Sequence, residues 1–487
     1  MGAAARVADR LGRDDRRLQR AHRRPRGPVS AARWACSACG AAPVGLPHAC
    51  PERAARPELD HVLQRTVDLD ALGADAFGAP AEVNPFVRFR RLLSSWHLAL
   101  EGGLSDADFV ALVRGLDAAV ARADGHGFAA TPLSPSQVIS ERVGATVWLK
   151  DETGNVSGSH KARHLMGVAI DLAVRARLGL PGVVEPPLAI ASCGNAALAA
   201  GVVARAAGRA LSVFIPPSAA ASVVARLEAL GADIVVCERQ PGRGGDPTYH
   251  AFRDAVAAGA LAFCCQGPDC GVTIEGGQTL GWEIAATLAG AGEALDHLFI
   301  QVGGGALGTA TLRGLREALE LGVIDRLPAL HCVQTEGGYP LVRAWDRVTA
   351  RAFAELGESV IEDRAARAAR LQGAPHAVAA ALAHARRHRG EFMWPWESEP
   401  KSVAHGILDD ETYDWFALVE GTLATGGWPV LIDDASVLAA QRLAQGALGV
   451  PVCATGAAGL AGATTAVAQT SALRGRRVGV ILSGRER

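Results

Sequence analysis

One lysine, one hydroxyl and two loops of small residues carry the chemistry that this sequence could perform. In Asn155-Val156-Ser157-Gly158-Ser159-His160-Lys161-Ala162-Arg163, a small-residue loop ends in a lysine at the expected mouth of a helix. Gly158 and the serines let the backbone approach a ligand closely, and a helix start offers free N–H groups to an anion. An amine held among those positive dipole ends gives up its proton more readily, which suits condensation with an aldehyde. Ala191-Ser192-Cys193-Gly194-Asn195 lies between a predicted strand and an Ala-rich helix. Such a loop can present N–H groups to a carboxylate, and Asn195 can donate to a cofactor oxygen. Gln301-Val302-Gly303-Gly304-Gly305-Ala306-Leu307-Gly308 repeats the strand-to-helix arrangement with three consecutive glycines. Their natural use is a phosphate cradle, because they sacrifice chain entropy for backbone access alone. The run is not GxGxxG, and no acidic residue follows at dinucleotide spacing. Val480-Ile481-Leu482-Ser483-Gly484 reads as a strand ending in a hydroxyl. A serine facing an aromatic ring nitrogen leaves that nitrogen neutral, where an aspartate would hold it protonated. Taken singly, each segment has a plain alternative: a surface lysine, an ordinary turn, a glycine turn, or a serine facing water.

Arginine supplies almost all the basic charge, and the only lysines are Lys150, Lys161 and Lys401. Arginine cannot replace an amine that must deprotonate to react, so each retained lysine asks for a role. Near the N-terminus, Cys36-x-x-Cys39 with His48 and Cys50 offers four candidate zinc ligands. Cys50 is followed by Pro51-Glu52-Arg53 where a second CxxC is usual, so a metal-free ribbon is the alternative. Cys264, Cys265 and Cys270 have no histidine grouping and read as core or loop thiols.

The elements that must position these segments follow from periodicity. Strands are expected at Thr146–Lys150, Pro187–Ala191, Leu211–Ile215, Ile234–Cys237, Leu295–Val302 and Gly479–Leu482. Helices are expected at Arg163–Leu178, Ala196–Ala207, Ser222–Leu230 and Thr309–Leu321, and residues 341–392 read as mostly helical. This alternation argues for an α/β chain with parallel sheets covered by helices. Length, 487 residues, and 49% hydrophobic content allow about three units with a sizeable core. A formal net charge of -1 excludes a global field for nucleic acid or an anionic membrane. Without an apolar signal segment or a run of about eighteen apolar residues, a cytoplasmic protein is expected. Residues 1–30 read as a disordered leader, and Pro57 to Asn84 as linker-like.

In this order, the segments resemble fold-type-II pyridoxal 5'-phosphate (PLP) enzymes, the tryptophan-synthase-β-like superfamily. SGSHKAR is similar to that family's lysine motif, SCGNA to its carboxylate and ring-oxygen loop, GGGAL to its phosphate loop, and ILSG to its pyridine-nitrogen serine. Further matches are Ala130-Thr131-Pro132-Leu133, Lys150-Asp151-Glu152-Thr153, Thr273 to Thr279 and Thr455 to Leu460, so the likeness spans about Phe128 to Arg487. Within the family, the cysteine-bearing extension and Asn84-Pro85-Phe86-Val87-Arg88 look like threonine synthases with a zinc-ribbon-like extension. His160-Lys161-Ala162-Arg163-His164 departs from the Phe-Lys-Asp-Arg-Gly of threonine synthases and echoes the tryptophan synthase β chain.

The resemblance implies two parallel-sheet three-layer lobes with PLP between them and a ribbon-like extension at 31–84. The large lobe would comprise 85–164 plus 286–487, and the small mobile lobe 165–285. Lys161 would carry PLP; Asn195, Gly303, Gly304, Gly305, Ala306, Leu307 and Ser483 would bind it. Ser192, Cys193, Gly194 and Asn195 would hold the substrate. The implied activity is a lyase of the threonine synthase or dehydratase kind, removing an α-proton and eliminating or replacing at the β- or γ-carbon. A β-replacement synthase and a non-catalytic PLP binder are the alternatives. A phosphorylated γ-substrate would need a second anion site, for which Arg163 and His164 are the candidates. His405 falls where relatives carry a substrate-facing loop, with a structural histidine as the alternative. A homodimer is expected from the resemblance alone.

Overall fold

Short runs of two to seven residues, apolar in most of the sheet strands, form the strands, and small residues let the helices close on them. The computed structural model describes residues 32–239 and 245–486, so the expected leader at 1–30 lies outside the described residues. In chain order, the first strands are β1 (Arg33–Cys36), β2 (Leu63–Thr66), β3 (Leu133–Pro135) and β4 (Thr146–Asp151). Next come β5 (Leu188–Ala191), β6 (Leu211–Ile215), β7 (Asp233–Val236) and β8 (Leu261–Ala262). The remainder are β9 (His297–Gln301), β10 (Ala329–Thr335), β11 (Val430–Ile432) and β12 (Arg477–Leu482).

They form a six-stranded sheet, ordered β11-β10-β9-β12-β4-β3, and a four-stranded sheet, ordered β7-β6-β5-β8, beside the β1–β2 hairpin. The four-stranded sheet is wholly parallel. The larger sheet is parallel except for β3, which runs antiparallel along its edge. The expected strands and helices are present with ends shifted by a few residues, whereas β1, β2, β3, β8, β10 and β11 were not anticipated as strands. Pro135 makes β3 read as a turn, and β8 has only two residues, too few to show a period. The linker-like stretch is likewise structured: β2 lies in it, paired with β1, and Leu59, Asp60, His61, Val62 and Leu63 are buried.

The last strand lies in the middle of the large sheet. β12 pairs with β9 on one side and β4 on the other, all parallel, so their C-terminal ends share one edge. Three of the four segments follow those ends, which is where open parallel sheets bind ligands. Glycine contacts then lock three helices together behind that edge. A Cβ on Gly167, in the helix Lys161–Arg177, would come 2.5 Å from Gly276 Cα in the helix Gly271–Ala291. One on Gly281 would come 3.1 Å from Gly314 Cα in the helix Ala306–Glu320.

A buried ionic cluster fixes the lysine-bearing helix. Arg163 Nε donates to Glu152 Oε2 at 2.8 Å and Arg163 Nη1 to Glu283 Oε1 at 2.7 Å. Lys150 Nζ donates to Glu283 Oε2 at 2.6 Å and to the Thr131 carbonyl at 2.7 Å. Burial alone would raise the Glu152 carboxyl, but the Arg163 guanidinium overrides it and holds the group at about 2. Replacing Arg163 by Met leaves two buried carboxylates sharing one ammonium. The expected cost is about 3–5 kcal/mol of unfolding free energy, read from the urea midpoint at neutral pH. An unchanged midpoint would show that the cluster does not hold this helix.

Candidate functional site

The loop before Lys161 is built to place the end of a helix. Asn155 starts it, donating from Nδ2 to Glu152 Oε2 at 2.7 Å. Ser157 then takes a left-handed conformation, φ 51°, with its N–H donating to Asp124 Oδ2 at 2.6 Å. His160 is tied to the final strand's exit: its backbone N–H and its Nδ1–H both donate to the Ser483 carbonyl, at 3.1 and 3.0 Å. Burial first, then the Lys161 charge, holds the His160 imidazole well below its ordinary range and therefore neutral. Lys161 itself is half-buried as the first residue of its helix. Of the other two lysines, Lys150 is locked in the ionic cluster and Lys401 is exposed on the surface.

Ser483 has a defined hydrogen-bond polarity. Gln301, the last residue of β9, donates from Nε2 to Ser483 Oγ at 2.6 Å. The same nitrogen lies 3.1 Å from the carbonyls of Gly456 and Ile481. Carbonyls only accept, so those two contacts fix the amide's orientation. The Ser483 oxygen is thus an acceptor for Gln301, which leaves its own proton to be donated elsewhere. Gln301 was not singled out from the sequence for this task, although a polar residue ending an apolar strand was its signal.

The glycine run closes under a cover. Gly305 has φ 101° and begins the helix Ala306–Glu320. A side chain at Gly303 would strike Asp409 Oδ2, 2.4 Å from the ideal Cβ, and one at Gly304 would strike the Tyr413 ring at 2.9 Å. Asp409 Oδ2 therefore lies close against the backbone of Gly303 and Gly304. A carboxylate of the protein thereby stands where the loop would hold an anionic oxygen of a phosphate, and the cradle admits backbone only. Burial pushes the Asp409 carboxyl up to about 6, against the pull of the Lys161 charge. Neither Asp409 nor Asp246, whose charge raises it further, has a motif that would have marked it in the sequence.

Asn195 opens the helix Asn195–Ala206 and lies against the exit of β12, where a Cβ on Gly484 would be 2.7 Å from Asn195 Nδ2. Ser192 Oγ accepts from the Gly194 N–H at 3.4 Å. Cys193 stays exposed, yet the surrounding protein, and then the Asp246 and Asp409 carboxylates, push its thiol up. Through these links the Lys161, Asn195, glycine-run and Ser483 segments meet in one region. Together they supply an amine, backbone anion donors, an amide and a hydroxyl donor, a set that fits PLP.

Three expectations are corrected. Arg163 is fully buried with its guanidinium spread over Glu152, Glu283, Thr131 and Thr279, so it is not a second anion receptor. His164 is buried too, donating from Nδ1 to the Thr273 carbonyl at 2.8 Å and held at about 3 by burial and the Lys161 charge. In the extension, Cys36, Cys39 and Cys50 converge on His61, not on His48. The His48 carbonyl instead accepts from Gly271 N at 2.9 Å, at the start of a core helix. His405 is exposed in a short turn. Cys264, Cys265 and Cys270 are buried. No helix among the described residues is long and apolar enough to cross a membrane.

The chain is similar to several known proteins. A protein from Mycobacterium tuberculosis named threonine synthase is 28% identical over 356 residues, 73% of this chain and 80% of that protein. One of the same name from Methanosarcina acetivorans is 30% identical over 222 residues, 44% of this chain and 49% of that protein. Among solved structures, a T.th. threonine deaminase superposes with a TM-score of 0.52 at 21% identity, over 77% of this chain and 98% of that one. Diaminopropionate ammonia lyase from Escherichia coli does so with a TM-score of 0.54 at 15% identity, over 78% and 89%. At such identities the structures speak for the fold, that of the fold-type-II enzymes. The family model described as pyridoxal-phosphate dependent enzyme matches residues 126–399, more than half of the sequence, and the chain belongs to that family.

Proposed function

We propose that this chain is a PLP-dependent lyase that removes the α-proton of an amino acid and eliminates or replaces a group at the β- or γ-carbon, like a threonine synthase or dehydratase. The observation that carries this reading is the Ser483 hydroxyl, its oxygen engaged by Gln301 and its proton left for a ring nitrogen. When bound, PLP supplies a conjugated ring that stabilises negative charge at the substrate's α-carbon. Lys161 would hold it, with Asn195 at its ring oxygen and the backbone from Gly303 to Leu307 at its phosphate. Ser483 shares its proton without giving it up, which keeps the ring nitrogen neutral and favours loss at the β-carbon over transamination. The loop Ser192 to Asn195 grips the substrate carboxylate. Lys161 Nζ then takes the α-proton and can return it. Movement of residues 165–285 over the cleft excludes water and decides between elimination and replacement.

The choice of substrate leans away from a second phosphate. Arg163 and His164 are occupied elsewhere, and Asp246 and Asp409 add negative charge beside Cys193. These residues favour a hydroxy amino acid or its acetyl ester over O-phosphohomoserine, whereas the names of the curated relatives favour the latter. Absorption spectra of the PLP-loaded protein with L-serine, L-threonine, O-acetylserine and O-phosphohomoserine separate the two. The expected result is a shift with one of the first three and none in Lys161→Ala, which also loses the band of lysine-bound PLP. No band in the wild type, or the same band in Lys161→Ala, would return the chain to a binding role or another lysine.

Asp409 adds a pH dependence. An acid raised to about 6 is charged above that pH and would then oppose a phosphate at the adjoining glycine run, and it is neutral below. PLP should therefore bind Asp409→Asn more tightly than wild type at pH 8, by roughly tenfold, or about 1.4 kcal/mol. The advantage should vanish below pH 6. Titration of both proteins at pH 5.5 and 8 reads it, and an equal ratio at the two pH values would refute the competition.

A further inference from the structure

Away from the cleft, three thiols and an imidazole meet where β1 and β2 pair. Cys36 Sγ lies 3.3 Å from His61 Nδ1, Cys39 Sγ 3.6 Å from the same nitrogen, and Cys39 Sγ 3.6 Å from Cys50 Sγ. All four ligand atoms lie within 4.8 Å of one another. We propose that Cys36, Cys39, Cys50 and His61 bind one zinc ion in a closed site that holds the extension in its docked shape.

The spacing fits a tetrahedron around one ion. With zinc–sulfur bonds of about 2.3 Å and zinc–nitrogen bonds of about 2.05 Å, its edges are about 3.8 Å between sulfurs and about 3.6 Å from sulfur to nitrogen. The imidazole is turned for the task. His61 Nε2 lies 2.9 Å from the Arg56 carbonyl, which can only accept, so Nε2 carries the proton and Nδ1 presents its lone pair to the thiols. Three sulfurs and one nitrogen select a soft or borderline cation over magnesium or calcium. Four protein ligands leave no open position, so the role is structural.

The extension has little else to hold it. Its own apolar cluster consists of Cys36, Cys50 and Leu63, with a few partly buried neighbours, far less than an independent fold requires. Yet it carries contacts that reach distant parts of the chain. Arg53, three residues after Cys50, donates to Asp269 Oδ1 at 2.6 Å. Asp60, beside His61, accepts from Trp415 Nε1 at 2.9 Å. Arg65, on β2, donates to Glu317 Oε1 at 2.7 Å. A cation that fixes Cys50 relative to His61 fixes these three anchors together. The inference is independent of the PLP reading.

The test uses the full chain, grown with zinc and purified without chelator. Elemental analysis and native mass spectrometry should find one zinc per chain. Cobalt exchanged into the site should give a thiolate charge-transfer band with tetrahedral d–d bands. His48→Ala should keep the metal, while His61→Ala should lose it to a competing chelator at a concentration roughly tenfold or more lower. Stripping the wild type should speed deuterium exchange across residues 33–66. A wild type that takes up no zinc at micromolar concentration, or a native Cys39–Cys50 disulfide, overturns the site. Retention as tight in His61→Ala as in wild type overturns the role of His61. Should His61→Ala not fold, the wild-type stoichiometry and cobalt spectrum decide alone.

Discussion

Arg163 stands between Glu152 and Glu283 without access to water, and the catalytic geometry proposed above depends on that contact. With Lys150 the group contains two acids and two bases, so its formal charges cancel. Taking four charges out of water is expensive, and a well-packed apolar cluster would often be as stable. What the ionic version adds is direction. Glu152 follows β4, Arg163 lies in the first turn of the helix that Lys161 begins, and Glu283 belongs to a helix that shares glycine contacts with two others. A guanidinium fork has few acceptable orientations relative to its carboxylates. Lys161, two residues from Arg163, inherits that restriction.

From this anchor the rest of the site follows by topology. Inserting β12 between β9 and β4 brings the chain's last residues beside segments that lie hundreds of positions earlier. Gln301 and Ser483 meet across 182 residues. The four-stranded sheet supplies the remaining loop, whose Asn195 rests against Gly484. The glycine run is a point of tension. Beside the backbone that would suit a phosphate stands Asp409, an anion the protein carries itself. In the proposed reading a phosphate held there would meet that carboxylate, which would couple the covering segment to PLP binding.

Much of this was legible in the sequence because it is local. Alternating apolar runs marked most strands of both sheets, and each loop declared itself by small residues at a strand-to-helix junction. What stayed hidden is what depends on distant partners. Arg163 looked like an anion receptor, since nothing nearby reveals that Glu283 lies 120 residues on and faces it. His48 was a candidate ligand as the histidine among the cysteines in sequence, although His48-x-Cys50 is an awkward spacing for two ligands on one metal. The folded hairpin instead brings His61 to Cys36 across 25 residues. β3 and β8 were too short or too proline-bound to show a period. Asp409 carries no motif, and only the fold places it over the glycines.

The central claim is that Lys161 is the lysine bonded to PLP, and the scarcity of lysine makes it unusually direct to test. Borohydride reduction of the PLP-loaded protein, followed by peptide mass spectrometry, fixes the cofactor to whichever amine holds it. Three lysines are available: Lys150, Lys161 and Lys401. The account predicts the phosphopyridoxyl mass on the peptide containing Lys161 and on neither of the others. A label on Lys150 or Lys401, or none, would contradict it.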